Sequence, residues 1–312
     1  MTGSPPDHAI GDRLDPDEVF DAIACLAGRA REVTPLPGGL TNRNFRVRTA
    51  THDVVVRISP PTSGLLAVDR EAEYHNTVVA AAGGVGAAVV DYLPGRGVLV
   101  VAFIPDAMTY AESDVPANLA RVAGAVRALH SGAAFVNRFD IFDIQRRYLA
   151  LIRHKGFRLP EGYEELLGAA AAMESALGQR PEPLAPCHND LLAANFLDDG
   201  TRVRIIDYEY SGSNAPGFEL GNLAQESHLT DDQLAELVAA YRGREDPDLT
   251  ARARVWGIAS AYAWTLWGAI QDGIAPEDYD FWGWGVEKFD RARTAITGRS
   301  FGALLDMVGR GP

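Results

Sequence analysis

Two short polar segments on either side of an apolar stretch constrain this chain more than any other feature. The first runs from His188 to Asn195 in the pattern H-x-D-L-x-x-x-N, and the second is Asp207-Tyr208-Glu209. Between them, residues 203–206 are mostly β-branched and predict a strand. A single H-x-D is common by chance, but the whole arrangement is far more specific. The spacing therefore predicts a loop and a strand end that bring two aspartates and an asparagine together.

These side chains have the chemistry that phosphoryl transfer requires. One carboxylate must accept the proton of the acceptor hydroxyl, and an amide oxygen and a second carboxylate must hold Mg²⁺ on the nucleotide phosphates. Asp190 can supply the first role, and Asn195 and Asp207 the other two. The order matches the catalytic loop and metal-binding segment of kinases. The alternative is a hairpin with incidental acids. His188 is predicted to hold the loop and not to act as the base.

A nucleotide-binding loop is predicted in the N-terminal third. A helix over 15–29 precedes three short β-type runs at 32–36, 44–48 and 54–58. Between the first two runs, residues 37–42 form either an ordinary turn or a glycine hairpin whose amides approach phosphates. The position favours the hairpin. The candidate nucleotide contacts in this loop are Gly38, Gly39, Thr41 and Asn42.

A cation is expected at the end of the third strand. Arg57 stands where kinases carry the lysine of V-A-I-K, and its guanidinium can bind phosphate oxygens bidentately. The alternative is a surface arginine at a strand end. The next predicted helix, residues 65–82, carries Glu71 and Glu73. Glu73 is predicted to pair with Arg57, with Glu71 as the alternative.

The chain is long enough for two lobes. It has 312 residues, of which 47% are hydrophobic. An apolar run at 98–103 ends at the expected hinge. We predict a flexible tail at 1–14, a nucleotide-binding lobe with an antiparallel sheet at 15–104, and a mainly helical catalytic and acceptor-binding lobe at 105–312. The expected fold class is α+β, as a two-lobed protein-kinase-like fold.

Charge and composition limit the partners. The formal net charge of −13 makes nucleic acid an unexpected partner, since phosphate binding needs a basic face. The acidity either helps to attract a cationic substrate or only keeps the protein soluble. No apolar run has transmembrane length, and the first residues lack signal-peptide features. With Cys25 and Cys187 as the only cysteines, a cytoplasmic setting is expected.

Aromatic residues near the C-terminus bear on the acceptor. Trp264 and Trp267 are three residues apart and so share a helix face, and Trp284 follows in a second aromatic segment. Glu226 is one of two spare carboxylates in an earlier segment that begins at Phe218. The tryptophans form either core or a cage for a cationic ammonium. In a cage, each ring would attract the cation by roughly 0.5 to 2 kcal/mol.

With these motifs identified, the chain resembles the choline/ethanolamine kinases of the aminoglycoside-phosphotransferase-like superfamily, especially the bacterial choline-kinase-like branch. The resemblance runs from about Leu36 to Thr294, and the H-N-D and I-D-Y-E-Y motifs are its most specific parts. It implies a kinase-like fold that transfers the γ-phosphate of ATP to the hydroxyl of a small cationic amino alcohol, choline or ethanolamine. The departures include Glu219, where the family usually has aspartate, and Trp284, often tyrosine in relatives.

Carried over position by position, the resemblance implies a full set of site residues. Asp190 is the expected catalytic base, and Glu209 either holds a second metal ion or faces the ammonium. The other implied Mg²⁺ ligands are Asn195 and Asp207; the implied phosphate contact and its partner are Arg57 and Glu73; the implied amine pocket is Glu226, Trp264, Trp267 and Trp284.

Two alternative functions stay open at this point. One is an aminoglycoside or amino-sugar kinase on the same fold. The other is a non-catalytic, nucleotide-binding regulatory protein, although such a protein would be expected to have lost at least one catalytic residue. A homodimer is the possible assembly.

Overall fold

The computed structural model describes residues 15–37, 41–274 and 279–311. The predicted tail at 1–14 lies outside the described residues, and so do Gly38 and Gly39 of the predicted phosphate loop. The model has an N-terminal antiparallel sheet and a mainly helical remainder, and the predicted α+β, kinase-like fold is confirmed.

A five-stranded antiparallel sheet occupies the first third of the chain, in the order β1-β2-β3-β5-β4. Its β1, β2, β3 and β5 follow the predicted runs to within a residue. The sequence analysis missed β4, which is only partly buried and carries a register shift between Val89 and Asp91. The strands are β1 Glu32–Leu36, β2 Arg43–Arg48, β3 Asp53–Ile58, β4 Val89–Leu93 and β5 Val98–Ala102.

Two helices flank this sheet, and both are shorter than predicted. Helix α1, Pro16–Ala22, is capped by Asp15 as expected, but it ends because Ile23 is extended at φ −87° and ψ 121°. Helix α2, Arg70–Ala82, follows a 3₁₀ turn and begins where the Asp69 carboxylate accepts the first free backbone N–H groups. The 3₁₀ turn is Pro61–Leu66.

The rest of the chain is mainly helical, with two small sheets that frame the candidate site. One is the antiparallel pair β7–β10, and the other is the three-stranded sheet β6-β8-β9. Their strands are β6 Met108–Thr109, β7 Ala185–Cys187, β8 Phe196–Asp198, β9 Val203–Ile205 and β10 Gly212–Asn214. The helices are α3 Asp114–Ala117, α4 Leu119–His130, α5 Ile141–Lys155, α6 Leu167–Gln179, α7 Pro216–Glu226, α8 Asp231–Arg242, α9 Pro247–Ile274, α10 Phe281–Thr297 and α11 Phe301–Arg310, with 3₁₀ turns Glu164–Leu166 and Ala193–Asn195.

Helix α9 is the centre of this helical region, and its neighbours approach it at glycines. A Cβ on Gly221 of α7 would lie 2.6 Å from the backbone nitrogen of Gly257 in α9. A Cβ on Gly268 of α9 would lie 2.9 Å from the Cα of Gly285 in α10. Both distances are shorter than side-chain contacts allow, so α7 and α10 can pack this closely on α9 only because these positions lack a side chain.

Although α9 has 28 residues, none of the helices in the described part of the chain is both long and apolar enough to cross a membrane.

Candidate active site

The predicted catalytic loop connects β7 to β8 and is held by its own polar groups. His188 donates from Nε2 to the carbonyl of Ile206 at 2.8 Å, which leaves Nδ1 to accept from the backbone N–H of Asp190 at 3.3 Å. The Asn195 side-chain nitrogen donates to the Asp190 carbonyl at 2.9 Å. That bond leaves the amide oxygen of Asn195 for a cation. The loop-holding contacts expected of His188 are present.

Helix α7 anchors the same loop through Glu219. Its carboxylate is fully buried and accepts from the backbone N–H groups of His188, at 2.8 and 3.0 Å, and Asn189, at 3.2 Å. His130 binds it at 3.0 Å. Burial alone would raise the pKa of Glu219, but the His130 hydrogen bond and positive charge hold it below its usual range. Glu219 therefore positions the loop.

Asp207 lies two residues after the end of β9, in the left-handed backbone region at φ 69°. Few non-glycine residues adopt this conformation, and those that do are concentrated at functional sites. Its carboxylate pairs with Arg57 of β3, and the same guanidinium also pairs with Glu73 of α2. The Arg57–Glu73 contact is the one predicted, and Glu71 instead accepts from the Tyr92 hydroxyl at 2.9 Å.

A second arginine joins α2 to the segment after β9. Arg70 lies 2.7 Å from the Glu73 carboxylate and 3.1 Å from that of Glu209. Glu209 also accepts from Asn42 at 3.1 Å and from Thr41 at 3.4 Å. Two residues of the predicted nucleotide loop therefore meet the acidic D-Y-E segment across the cleft.

At this end of the cleft, negative charge exceeds positive charge, which favours a divalent cation. In the described ion pairs, three carboxylates share two guanidinium groups: Glu73, Asp207 and Glu209 against Arg57 and Arg70. The donors around Asp207 are carboxylate and amide oxygens, the ligands that Mg²⁺ prefers. The residues present fit a magnesium ion.

Asp190 lies among other charged side chains. Its loss of hydration in the cleft raises its pKa well above the usual aspartate range, and the charges of Glu226, Glu209 and Asp207 raise it further, whereas Lys288 lowers it. A carboxylate with a raised pKa holds a proton more readily than an ordinary one, which is what a general base requires.

The predicted tryptophans form one aromatic cluster around Tyr210. The Trp267 indole donates to the Tyr210 hydroxyl at 3.0 Å, and the Trp264 ring packs edge-on against Tyr210 at 4.9 Å. Trp284 of α10 packs edge-on against Trp267 at 5.1 Å. Trp264 and Trp267 are buried core residues, whereas Trp284 is only partly buried. Within this cluster, the two tryptophans of α9 therefore belong to the core, and Trp284 of α10 lies at its edge.

Glu226, at the end of α7, has a partner that the sequence analysis did not identify. The ammonium of Lys288 lies 2.6 and 2.7 Å from its two carboxylate oxygens and 4.2 Å from the centre of the Trp284 ring. Lys288 is 2% exposed and Glu226 8%. We call Glu226, Trp284 and Lys288 the ammonium box.

Three residues of the site were therefore missed, and each had a weak sequence signal. Lys288 is one of only two lysines and lies one helical turn after Trp284. Arg70 stands three residues before Glu73 on the same helix face. Tyr210 closes the I-D-Y-E-Y motif but carried no assigned role.

Comparison with known proteins identifies the class. Residues 32–256 match the model of the phosphotransferase enzyme family. The chain is 35% identical to a choline/ethanolamine kinase family protein from Mesorhizobium loti, with a TM-score of 0.82 over 95% of this chain and 99% of the other. It is 26% identical over 246 residues to protein LicA from Haemophilus influenzae, covering 75% of this chain and 72% of LicA.

The fold is also that of choline kinase LicA from Streptococcus pneumoniae, with a TM-score of 0.77, 22% identity and coverage of 90% and 98% of the two chains. Fold, site and comparisons together define a phosphotransferase that acts on an alcohol group. The chain belongs to the phosphotransferase enzyme family and, within it, to the choline/ethanolamine kinase family. The predicted resemblance is confirmed.

Proposed function

We propose that this protein transfers the γ-phosphate of ATP to the hydroxyl of choline or ethanolamine. One observation carries the proposal: Asp207, Glu209 and the Glu226–Lys288 pair all lie close enough to Asp190 for their charges to act on its carboxyl, and Asn195 binds the backbone of Asp190. The sequence similarity to LicA and to the Mesorhizobium loti protein supports the same acceptor class.

In this proposal, Asp190 is the general base. It accepts a hydrogen bond from the acceptor hydroxyl and takes its proton as the acceptor oxygen bonds to the γ-phosphorus. The bond from the γ-phosphorus to the bridging oxygen breaks, and ADP leaves with the electron pair. Glu219 holds the loop that carries Asp190, so the carboxylate stays in place during the transfer.

Asn195, Asp207 and Glu209 would hold Mg²⁺, which would supply positive charge to the phosphates of ATP. Arg57 is proposed to contact the phosphates, with Glu73 holding its guanidinium. Thr41 and Asn42, together with Gly38 and Gly39, are the proposed loop contacts. The proposed acceptor pocket is lined by Glu226, Trp264, Trp267 and Trp284.

The test is release of ADP by the purified protein with Mg²⁺-ATP and a panel of choline, ethanolamine, kanamycin and glucosamine. Turnover confined to choline or ethanolamine is expected. Turnover with only kanamycin or glucosamine would keep the kinase and overturn the acceptor. ATP binding without turnover of any of the four would overturn the proposal.

The sequence similarity to LicA favours the small amino alcohols over a polycationic aminoglycoside. The division of the chain into lobes at residue 104, the cytoplasmic location and the homodimer stay predictions.

A further inference from the structure

The ammonium box already contains an ammonium. Lys288 Nζ lies within 2.7 Å of both Glu226 oxygens and 4.2 Å from the centre of the Trp284 ring. A carboxylate and an indole face are the partners that a bound amino alcohol would need for its own cation. The chain's own lysine therefore lies where the cation of the acceptor is expected.

This position does not result from a flexible surface side chain. Lys288 is 2% exposed, and it projects from α10 one turn after Trp284, so both side chains face the end of α7. Helix α10 is held against α9 by the contact between Gly268 and Gly285. The backbone packing thus directs the lysine into the box. By contrast Lys155, the other lysine of the chain, is exposed at the end of α5.

We propose that Lys288 is a tethered competitor of the acceptor's ammonium and determines how tightly the site binds cationic acceptors. The inference rests on the proposed function, because it takes the ammonium box as the acceptor's cation site. An acceptor cation can pair with Glu226 only when the lysine ammonium leaves it, so each binding event must offset the loss of an existing buried ion pair. Affinity for cationic acceptors is thereby reduced.

Removal of the lysine should therefore strengthen binding. In Lys288→Met, Glu226 loses its partner, and an incoming ammonium then pairs with it without a competitor. We expect choline to bind Lys288→Met at least about tenfold more tightly than the wild type, since a hydrogen bond to a charged group contributes about 1.5 to 3 kcal/mol. If the lysine only fastens α10 to α7, its removal should leave choline binding unchanged or weaker.

The experiment is calorimetric titration of the full chain with three probes: choline, tetramethylammonium and 3,3-dimethylbutanol, the neutral analogue of choline. The gain is expected for the two cations and not for the neutral alcohol. Lys155→Met, the matched control, is expected to bind all three like the wild type. Equal or weaker choline binding by Lys288→Met overturns the proposal, as does an equal gain for the neutral alcohol or no binding of choline by either protein.

Two further points keep the test decisive. If Lys288→Met does not fold, Lys288→Gln replaces it, because glutamine removes the charge while keeping a donor for Glu226; the same tenfold criterion then applies. Binding is measured without turnover, so the two proposals can fail separately. A wild-type protein that phosphorylates neither choline nor ethanolamine overturns the proposed function, whereas an unchanged choline affinity of Lys288→Met in an active enzyme overturns the role of Lys288.

Discussion

The two ends of the cleft differ in how far their carboxylates are balanced by positive side chains. At the nucleotide end, Arg57 and Arg70 pair with Glu73, Asp207 and Glu209, and together with Asp190 the acids remain in excess. At the acceptor end, one lysine pairs with one glutamate, and the charges of the pair cancel. In the proposed function, unbalanced negative charge attracts a divalent cation to the first end, whereas an acceptor cation at the second end has to displace the lysine ammonium.

The largest expected effect comes from the residue between the two ends. Asp190→Asn keeps the size of the side chain and removes the base, so we expect kcat to fall by at least about 100-fold. The melting temperature should change little, since the hydrogen bonds that hold the loop use the backbone of Asp190 and not its carboxylate. Steady-state kinetics and thermal unfolding measure the two quantities. A variant that retains wild-type kcat would remove Asp190 from the mechanism.

A smaller effect is expected from the anchor of the loop. Glu219→Gln removes a buried charge that pairs with His130 and accepts from two backbone N–H groups, so the free energy of unfolding should fall by about 3 to 5 kcal/mol. Because the loop loses its anchor, kcat should fall about tenfold with little change in the KM of the acceptor.

Glu182→Gln is the matched control for the anchor. Glu182 is another largely buried carboxylate, paired with Arg252, and none of its described contacts is with the catalytic loop. The Glu182→Gln variant should have a lower free energy of unfolding and an unchanged kcat. If both variants lose kcat equally, Glu219 acts only through general stability and does not position the loop.

The acceptor end can be probed further in the Lys288→Met protein, where the competitor is gone. There, Trp284→Ala should weaken choline binding by about two- to thirtyfold, the range of a cation–π contact of roughly 0.5 to 2 kcal/mol. Trp282→Ala is the control, because Trp282 is equally half-buried on α10 but stacks on Arg158 at 3.9 Å. Isothermal titration gives both values. Equal losses would mean that choline does not contact the Trp284 ring.

The smallest effect is a shift in pH dependence. The base works only when deprotonated, so kcat/KM should rise with pH through the raised pKa of Asp190, above the ordinary aspartate range near 4. Glu226 contributes to raising that pKa. Glu226→Gln should therefore move the acidic limb of the profile to lower pH, and the exposed Glu236→Gln should not. If the acidic limb of the profile lies at the same pH in Glu226→Gln as in the wild type, Glu226 does not affect the pKa of the titrating group.

The sequence was sufficient where function depends on local spacing. The motif around Asp190 and the segment at Asp207 lie close in sequence, so their pattern predicted which side chains would meet. Strands β1 to β3 were also predicted, because each alternates or is β-branched over its length. By contrast, the helix predicted over 15–29 was too long. Apolar residues keep a helical spacing past Ala22, but the backbone leaves the helical conformation at Ile23.

Long-range pairings were not predictable in the same way. Glu226 and Lys288 are 62 residues apart, and no local periodicity indicates that their helices meet. Arg70 was visible in the sequence, but its contact with Glu209, 139 residues away, depends on how α2 lies across the cleft. A pattern in the sequence predicts which chemistry a residue can supply. Packing decides whether another side chain already pairs with that residue.

The glycine contacts of α9 have a consequence for how acceptor preference could evolve. A methyl group at 268 would lie 2.8 Å from the carbonyl oxygen of Phe281 and 2.9 Å from the Cα of Gly285, so α10 would have to shift away from α9 and carry Trp284 and Lys288 with it. The dimensions of the acceptor pocket are thus adjustable from positions that do not line the ammonium box. Under the proposed function, Gly268→Ala alone would favour a bulkier alcohol, while the loop around Asp190, the proposed metal ligands and the ammonium box keep their sequence.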